Sequence, residues 1–204
     1  MHKIGMTESF VIGEVFGFDE EMLAFLPQPV LAVIVAFEKK NPEEDLSKPE
    51  NASLSPFYMK QSSVLDNACG IIACVHSILN NLDKVQVGAD SILDKYYKET
   101  QGKTPEESCT ILENSVDFKN EHKGFANQGQ SAVAATQEEV KAHFIAFVIN
   151  ENKQLIELDG MKKGPNVIAE GQTDVLRATI KEIQRRLEAG VITDQLNMMT
   201  LNPA

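Results

Sequence analysis

The sequence predicts an α+β fold in which helices flank a central, largely antiparallel sheet. Val30–Phe37 is apolar at nearly every position, as expected of a strand buried on both faces. Phe144–Ile149 and Leu155–Leu158 are two more apolar strands, and the short turn Asn150–Lys153 between them makes a β-hairpin. A helix predicted from Thr173 is apolar along one face. Helices on either side of the sheet are the simplest way to cover both of its faces.

Boundary signals define the first half of the chain. Asp19–Leu26 is a short helix that Asp19 caps and Pro27 stops. Glu38–Ser55 is charged and contains proline, so it is predicted to be a solvated loop. Pro56–Gln61 is predicted to be a short strand or an extended segment.

Further helices are predicted from Asn67 to about Leu79 and over Ser91–Glu99. Thr104-Pro105-Glu106-Glu107 is a capping box with proline at the first helical position, and it opens another helix. Residues 120–137 have no periodicity and are rich in Gly, Asn, Gln and Ala, so they are predicted to form a long mobile loop. The last helix places four apolar residues on one face before Gly190 ends it: Leu176, Ile180, Ile183 and Leu187.

The composition limits the number of domains and the kinds of partner to be expected. The 204 residues suit one domain, with 43% hydrophobic residues and a net charge of −11. This charge repels phosphate backbones, so we expect no nucleic-acid partner. It would attract a basic protein or peptide, or it serves only solubility. The longest apolar run, Val30 to Phe37, is too short to cross a membrane as a helix. Met1-His2-Lys3-Ile4-Gly5 lacks the apolar stretch of a signal peptide, so we expect none.

Three cysteines in a chain of this length do not make a disulfide framework, so a reducing, cytoplasmic location is expected, with the nucleus as a further compartment. No Cys/His spacing resembles a zinc site and no glycine-rich loop cradles phosphate. We therefore expect no metal and no cofactor.

Cys69 is the first candidate for chemistry. It stands in Asn67-Ala68-Cys69-Gly70, where an extended segment turns into a helix. The unpaired N–H groups and the positive dipole of a helix start stabilise a thiolate, which lowers the thiol pKa. A single cysteine is more often a small buried hydrophobe, and that is our interpretation of Cys74 and Cys109.

His143 and Asp159 are the candidate partners of Cys69. His143 precedes the first hairpin strand and Asp159 follows the second. If the turn is centred on Glu151, the two residues face each other, with Cβ atoms about 5 Å apart. A carboxylate at that distance holds an imidazole in one orientation, as a general base requires. An ordinary cross-strand pair is the alternative, and the presence of Cys69 favours catalysis.

The other histidines are weaker candidates. His76 follows Cys69 by seven residues on the same helix, about 10.5 Å along its axis, which favours a packing role. His122 falls in the predicted loop and His2 is terminal. An acyl-transfer thiol also needs donors for the oxyanion. The Cys69 N–H is one, and the side-chain amide of Gln61 is a candidate for the other.

These residues resemble the ubiquitin carboxyl-terminal hydrolase family, thiol peptidases with a papain-like core. Matching segments cover nearly the whole chain, in order. The stronger ones are Lys60-Gln61, Asn67-Ala68-Cys69-Gly70, Gly129-Gln130, His143-Phe144-Ile145 and Glu157-Leu158-Asp159-Gly160. Weaker ones are Phe18-Asp19, Leu26-Pro27-Gln28-Pro29-Val30 and residues Asn197 to Leu201.

The resemblance implies a monomeric, single-domain thiol hydrolase over residues 1–204, with Cys69 as nucleophile, His143 as general base and proton donor, Asp159 as its orienter and Gln61 as oxyanion donor. It implies cleavage of (iso)peptide, ester or thioester bonds after the C-terminal glycine of ubiquitin, or of a close ubiquitin-like modifier. Residues 120–137 correspond to the family's crossover loop over the active site, which favours small leaving groups.

Two departures from the family pattern bear on this function. Gln61 lies eight positions before Cys69 rather than six, and Ser63 occupies the family spacing. We expect a two-residue bulge within Ser62–Asp66 that leaves Gln61 in its role. The carboxylate of Asp66 would raise the pKa of the Cys69 thiol. Family members usually carry a further strand and helix before the region of Phe10, and in this sequence about nine residues precede it. These departures leave open a catalytically impaired ubiquitin-binding protein. A general papain-like endopeptidase is a third hypothesis, which the crossover loop disfavours.

Overall fold

One antiparallel sheet organises the molecule. The computed structural model describes residues 1–39, 55–65, 68–121 and 142–204. In these residues six strands pair in the order β1-β6-β2-β3-β4-β5, and every pairing is antiparallel. Their bounds are β1 Phe10–Glu14, β2 Ala32–Lys39, β3 Ala142–Ile149, β4 Leu155–Leu158, β5 Asn166–Ala169 and β6 Ile192–Pro203.

Helices cover both faces of the sheet, as the sequence predicts. They are α1 Glu20–Leu23, α2 Cys69–Leu79, α3 Ile92–Thr100, α4 Pro105–Asn114 and α5 Val175–Glu188, with a short 3₁₀ helix at His2–Ile4. The first core cluster lies under α2, α3 and α4, and the second lies under α1 and α5. Alternate residues of β2 and β3 enter the two clusters, so Ile34 and Ala146 belong to the first while Val33 and Ile145 belong to the second. This explains why both strands are continuous apolar runs in the sequence.

The predicted helix starts are confirmed by their caps. Asp19 accepts the N–H of Met22, and Ser91 accepts the N–H of Asp94. Thr104 and Glu107 form both bonds of the predicted capping box. The last helix begins at Val175, two residues later than expected, because Asp174 caps it through the N–H of Arg177.

Several boundaries differ from the predictions. Glu38 and Lys39 belong to β2 and not to the loop predicted over Glu38–Ser55; residues 40–54 lie outside the described part. Pro56–Gln61 has no strand pairing, so of the two predicted alternatives the short strand is wrong. The N–H groups of Lys60 and Gln61 donate to the carbonyls of Pro105 and Gly160. Residues 116–121 are helical, so the first two residues of the predicted loop, 120 and 121, are not part of a loop; residues 122–141 lie outside the described part.

Candidate active site

Cys69 is the first residue of α2, as its motif predicts. Its predecessor, Ala68, has helical backbone angles, and its methyl side chain cannot accept a hydrogen bond from the unpaired N–H groups at the helix start. Cys69 is half-buried. The thiol therefore lies at the positive end of the helix dipole and is accessible to a reactant.

His143 and Asp159 form a buried pair at one end of the sheet. The imidazole Nε2 lies 2.8 Å from Asp159 Oδ1. The same carboxylate oxygen accepts the N–H of Met161 at 2.9 Å, and the His143 ring packs edge-on against Phe37, with centroids 5.9 Å apart. Because Asp159 holds Nε2, a bond between the ring and the thiol would use the other nitrogen, Nδ1.

The two residues meet diagonally rather than face to face. Ala146 pairs with Leu158 and Ile149 with Leu155, so the turn is five residues long and one residue longer than predicted. Continued outward, this register places Asp159 opposite Ile145. A diagonal neighbour on the same face is about 7–8 Å away, still within reach of a long side chain. The predicted pairing is therefore right about the face of the sheet and wrong about the register.

The environment of Cys69 lowers the pKa of its thiol. Burial acts in the opposite direction, but a hydrogen bond with His143 and the backbone N–H of Phe144 outweigh it, with a smaller contribution from the Gly70 N–H. These groups all stabilise the thiolate. The site can therefore hold a nucleophilic sulfur beside an imidazole that shuttles its proton.

Gln61 is anchored beside the loop that follows β4. Its N–H donates to the carbonyl of Gly160 at 2.8 Å. A Cβ on Gly160 would lie 2.8 Å from the Gln61 nitrogen, so only glycine permits this approach. The residue after Asp159 thus supports the backbone of Gln61.

The connection between Gln61 and Cys69 contains a turn organised by Ser62. Its hydroxyl oxygen accepts the N–H groups of Val64 and Leu65, at 3.1 and 2.9 Å. The predicted bulge over Ser62–Asp66 coincides with this turn as far as Leu65. Asp66 and Asn67 lie outside the described residues, as do Gly129 and Gln130.

The remaining thiols lack the features of Cys69. Desolvation raises the pKa of Cys74, which is half-buried, to about 11. Burial, followed by the nearby Glu113 carboxylate, raises the pKa of Cys109 to about 11, and its thiol lies 3.6 Å from Glu113 Oε1. Neither is a thiolate at neutral pH.

The other histidines are held by local contacts. His76 is fully buried, and its Nε2 accepts the N–H of Met59 at 3.1 Å. His2 Nδ1 lies 3.0 Å from the Met6 carbonyl oxygen. His122 lies outside the described residues.

The sequence reasoning missed two supports of Asp159. The Tyr58 hydroxyl lies 2.8 Å from the Asp159 carbonyl oxygen and 2.7 Å from that of Lys162. The Lys162 ammonium pairs with the buried Glu157 carboxylate at 2.7 Å and so closes the loop that carries Asp159. Tyr58 and Asp159 are 101 residues apart, and no local pattern indicates such a contact.

In the four described ranges, no group of three or more His, Cys, Asp or Glu residues could hold a metal ion. Within the same ranges, no helix is both long and apolar enough to cross a membrane.

Comparisons with known proteins point to one family. The family model of ubiquitin carboxyl-terminal hydrolase, family 1, matches residues 1–188. A ubiquitin carboxyl-terminal hydrolase of Drosophila melanogaster is 35% identical over 175 residues, which cover 81% of this chain and 74% of the relative. One from Aplysia californica is 30% identical over 192 residues, which cover 93% and 88% of the two chains.

A solved structure has the same fold. The catalytic domain of UCH37 from Trichinella spiralis, bound to ubiquitin vinyl methyl ester, superposes with a TM-score of 0.78 at 22% identity. The match covers 100% of this chain and 89% of that one. The papain-like architecture implied by the sequence motifs is therefore confirmed.

Proposed function

Because the chain belongs to family 1 of the ubiquitin carboxyl-terminal hydrolases, it is a cysteine peptidase directed at ubiquitin, and we propose that Cys69, His143 and Asp159 carry its reaction. One observation carries the assignment: the His143 Nε2 lies 2.8 Å from Asp159 Oδ1, so an imidazole held by a carboxylate acts on Cys69 and lowers the pKa of its thiol. Asp159 orients the ring and stabilises its protonated form, and the ring takes the thiol proton.

The first step is attack of the Cys69 thiolate on the carbonyl carbon of the ubiquitin C-terminal glycine. The carbonyl oxygen becomes an oxyanion, which the Cys69 N–H and the Gln61 side-chain amide stabilise. Collapse of this intermediate breaks the bond to the leaving group. The His143 imidazolium gives its proton to the departing amine, alcohol or thiol, and a thioester remains on Cys69.

Water completes the cycle. His143, now neutral, takes a proton from a water molecule that attacks the thioester carbonyl. The carbon–sulfur bond then breaks, which releases the ubiquitin carboxylate and restores the paired thiol and imidazole.

The His143–Asp159 bond and the lowered pKa of Cys69 do not favour the alternative of an impaired ubiquitin-binding protein, since such a protein has no need of a low-pKa thiol beside an oriented imidazole. For the whole chain we propose a single monomeric catalytic domain that favours small leaving groups. We place it in the cytoplasm, and also in the nucleus, because all three cysteines are free thiols and the nucleophile must stay reduced.

The test is turnover of a ubiquitin derivative that carries a C-terminal fluorogenic reporter. Wild-type protein should release the reporter, and Cys69→Ser should lose turnover by at least about a thousandfold while it still binds ubiquitin. Cys74→Ser, on the same helix, is the matched control and should retain turnover. A ubiquitin probe with a C-terminal electrophile should label Cys69 alone. Labelling of another cysteine, or equal turnover by Cys69→Ser, would refute the assignment.

A further inference from the structure

We propose that the hydrogen bond between the Ser62 hydroxyl and the Glu113 carboxylate positions Gln61 at the oxyanion site. Ser62 Oγ lies 2.6 Å from Glu113 Oε1, so it donates a strong, charge-assisted bond. The bond links the residue after Gln61 to the last turn of α4. This inference rests on the role proposed above for Gln61 and assigns Ser62 and Glu113 as positioning residues for the same site.

Three consecutive residues are fixed to three different places. The Lys60 N–H donates to the Pro105 carbonyl at the start of α4, at 3.1 Å. The Gln61 N–H donates to the Gly160 carbonyl at 2.8 Å. Ser62 bonds to Glu113. Gln61 is therefore held on both sides. The third of these anchors, the bond from Ser62 to Glu113, comes before the lengthened connection to Cys69 begins.

Burial makes the third anchor effective. Ser62 is only 6% exposed, whereas Ser63 and Val64 after it are exposed. The Ser62 hydroxyl donates to Glu113 and accepts the N–H groups of Val64 and Leu65, so one oxygen joins α4 to the turn. Glu113 Oε1 is also fixed from a second direction by the Cys109 thiol.

This arrangement explains how the connection can be longer without moving the oxyanion donor. Displacements within the turn after Ser62 would reach Gln61 through the chain unless Ser62 itself is fixed. The Glu113 bond supplies that fixed point, because breaking it would leave a buried hydroxyl without its acceptor.

The experiment measures kcat and KM for the fluorogenic ubiquitin reporter in variants of the full chain. We expect Ser62→Ala to lower kcat about tenfold, less than the hundredfold or more typical of deleting an oxyanion donor outright. KM and the rate of Cys69 alkylation by chloroacetamide should stay within about twofold, because neither depends on the oxyanion site. Ser62→Thr retains the hydroxyl and should restore most of kcat. Ser63→Ala, the exposed neighbour, should match wild type.

Glu113→Gln keeps an acceptor and should lose little, whereas Glu113→Ala should behave like Ser62→Ala. The Glu113 variants give an independent test if Ser62→Ala does not fold. Since Ser62 acts through Gln61, adding Ser62→Ala to Gln61→Ala should cost less than twofold more in kcat.

The outcomes separate the two proposals. If Gln61→Ala leaves kcat unchanged, the proposed role of Gln61 is wrong and the inference fails with it. If Gln61→Ala lowers kcat but Ser62→Ala and Glu113→Ala do not, only the inference is wrong. Fully multiplicative losses in the double variant, or equal losses in kcat and in alkylation rate, would also overturn it, since they indicate a general structural effect.

Discussion

His143 controls the ionisation of Cys69, which makes the thiol testable by pH. Burial alone would raise the thiol pKa, and the hydrogen bond with His143 and the Phe144 N–H lower it. Because the folded pKa lies below its ordinary value, the thiolate persists to lower pH. An ordinary thiol reacts more slowly with chloroacetamide as the pH falls below about 8.5, because its thiolate is lost. We expect the alkylation rate of Cys69 to fall only at a lower pH.

In His143→Ala the midpoint of the alkylation profile should move upward. Mass spectrometry that resolves each cysteine makes Cys74 and Cys109 internal controls, since both have a pKa of about 11. Equal midpoints for Cys69 in the two proteins would contradict the assignment of His143.

His76 shows the opposite response to burial and predicts a pH dependence of stability. Burial lowers the pKa of its ring to about 4, and its Nε2 accepts the Met59 N–H, which only a neutral ring can do. The unfolded ring binds a proton below about pH 6.5, and the folded ring does so only below about 4. Its contribution is therefore fully present above pH 6.5 and is lost as the pH falls toward 4.

Urea unfolding of wild type and His76→Gln measures this contribution. The glutamine oxygen can accept the Met59 N–H but does not titrate. Between pH 6.5 and 4 we expect wild type to lose up to about 3 kcal/mol more of its free energy of unfolding than the variant. Parallel losses in the two proteins would show that His76 does not titrate with unfolding.

The elements around the site show what a sequence can and cannot predict. The start of α2 and the β3–β4 hairpin follow from local signals, and so does the face that His143 and Asp159 share. The register does not, because Asn150 and Gln154 close a five-residue loop through their own side-chain and backbone bonds. Loop geometry of this kind depends on contacts that a period-two pattern does not encode.

The charged contacts between α5 and β4 predict that two adjacent arginines, Arg185 and Arg186, contribute differently to the free energy of unfolding. Arg186 pairs with the buried Glu157 at 2.8 Å and with Glu182 at 2.7 Å, and its side chain is 11% exposed. Arg185 pairs with Glu182 at 2.8 Å, and its side chain is 51% exposed. Removing one partner of a buried pair costs far more than removing an exposed one.

Arg186→Met should therefore lower the free energy of unfolding by about 3–5 kcal/mol, and Arg185→Met by less than about 1 kcal/mol. Urea denaturation of both variants measures the difference, with Arg185→Met as the matched control. Similar losses in the two variants would contradict a special role for the Glu157 contact. Because Glu157 lies on the strand that leads to Asp159, we expect reporter turnover to fall in Arg186→Met as well.

Across the whole molecule, the sheet joins distant parts of the chain that local patterns leave unassigned. β6 is twelve residues long and lies between β1 and β2, although much of it is polar. Thr200 and Asn202 are fully buried there, and they bond to each other at 2.6 Å. Because these two buried polar residues interrupt the apolar alternation of β6, the strand and its partner β1 are recognisable only once the sheet is assembled.

The net charge of −11 makes a prediction for the encounter with substrate. An acidic enzyme attracts the basic C-terminal tail of ubiquitin over distances comparable to the Debye length, which is about 10 Å at 0.1 M salt. Raising the salt from about 0.05 to 0.5 M should therefore lower kcat/KM by about three- to tenfold. At saturating substrate kcat should change little, because charge steering acts before the complex forms.

Chloroacetamide alkylation of Cys69 is the control. The reagent is neutral and is not steered by charge, so the alkylation rate should stay constant. A kcat/KM that is flat or rises with salt, with alkylation unchanged, would show that the acidic surface serves solubility alone.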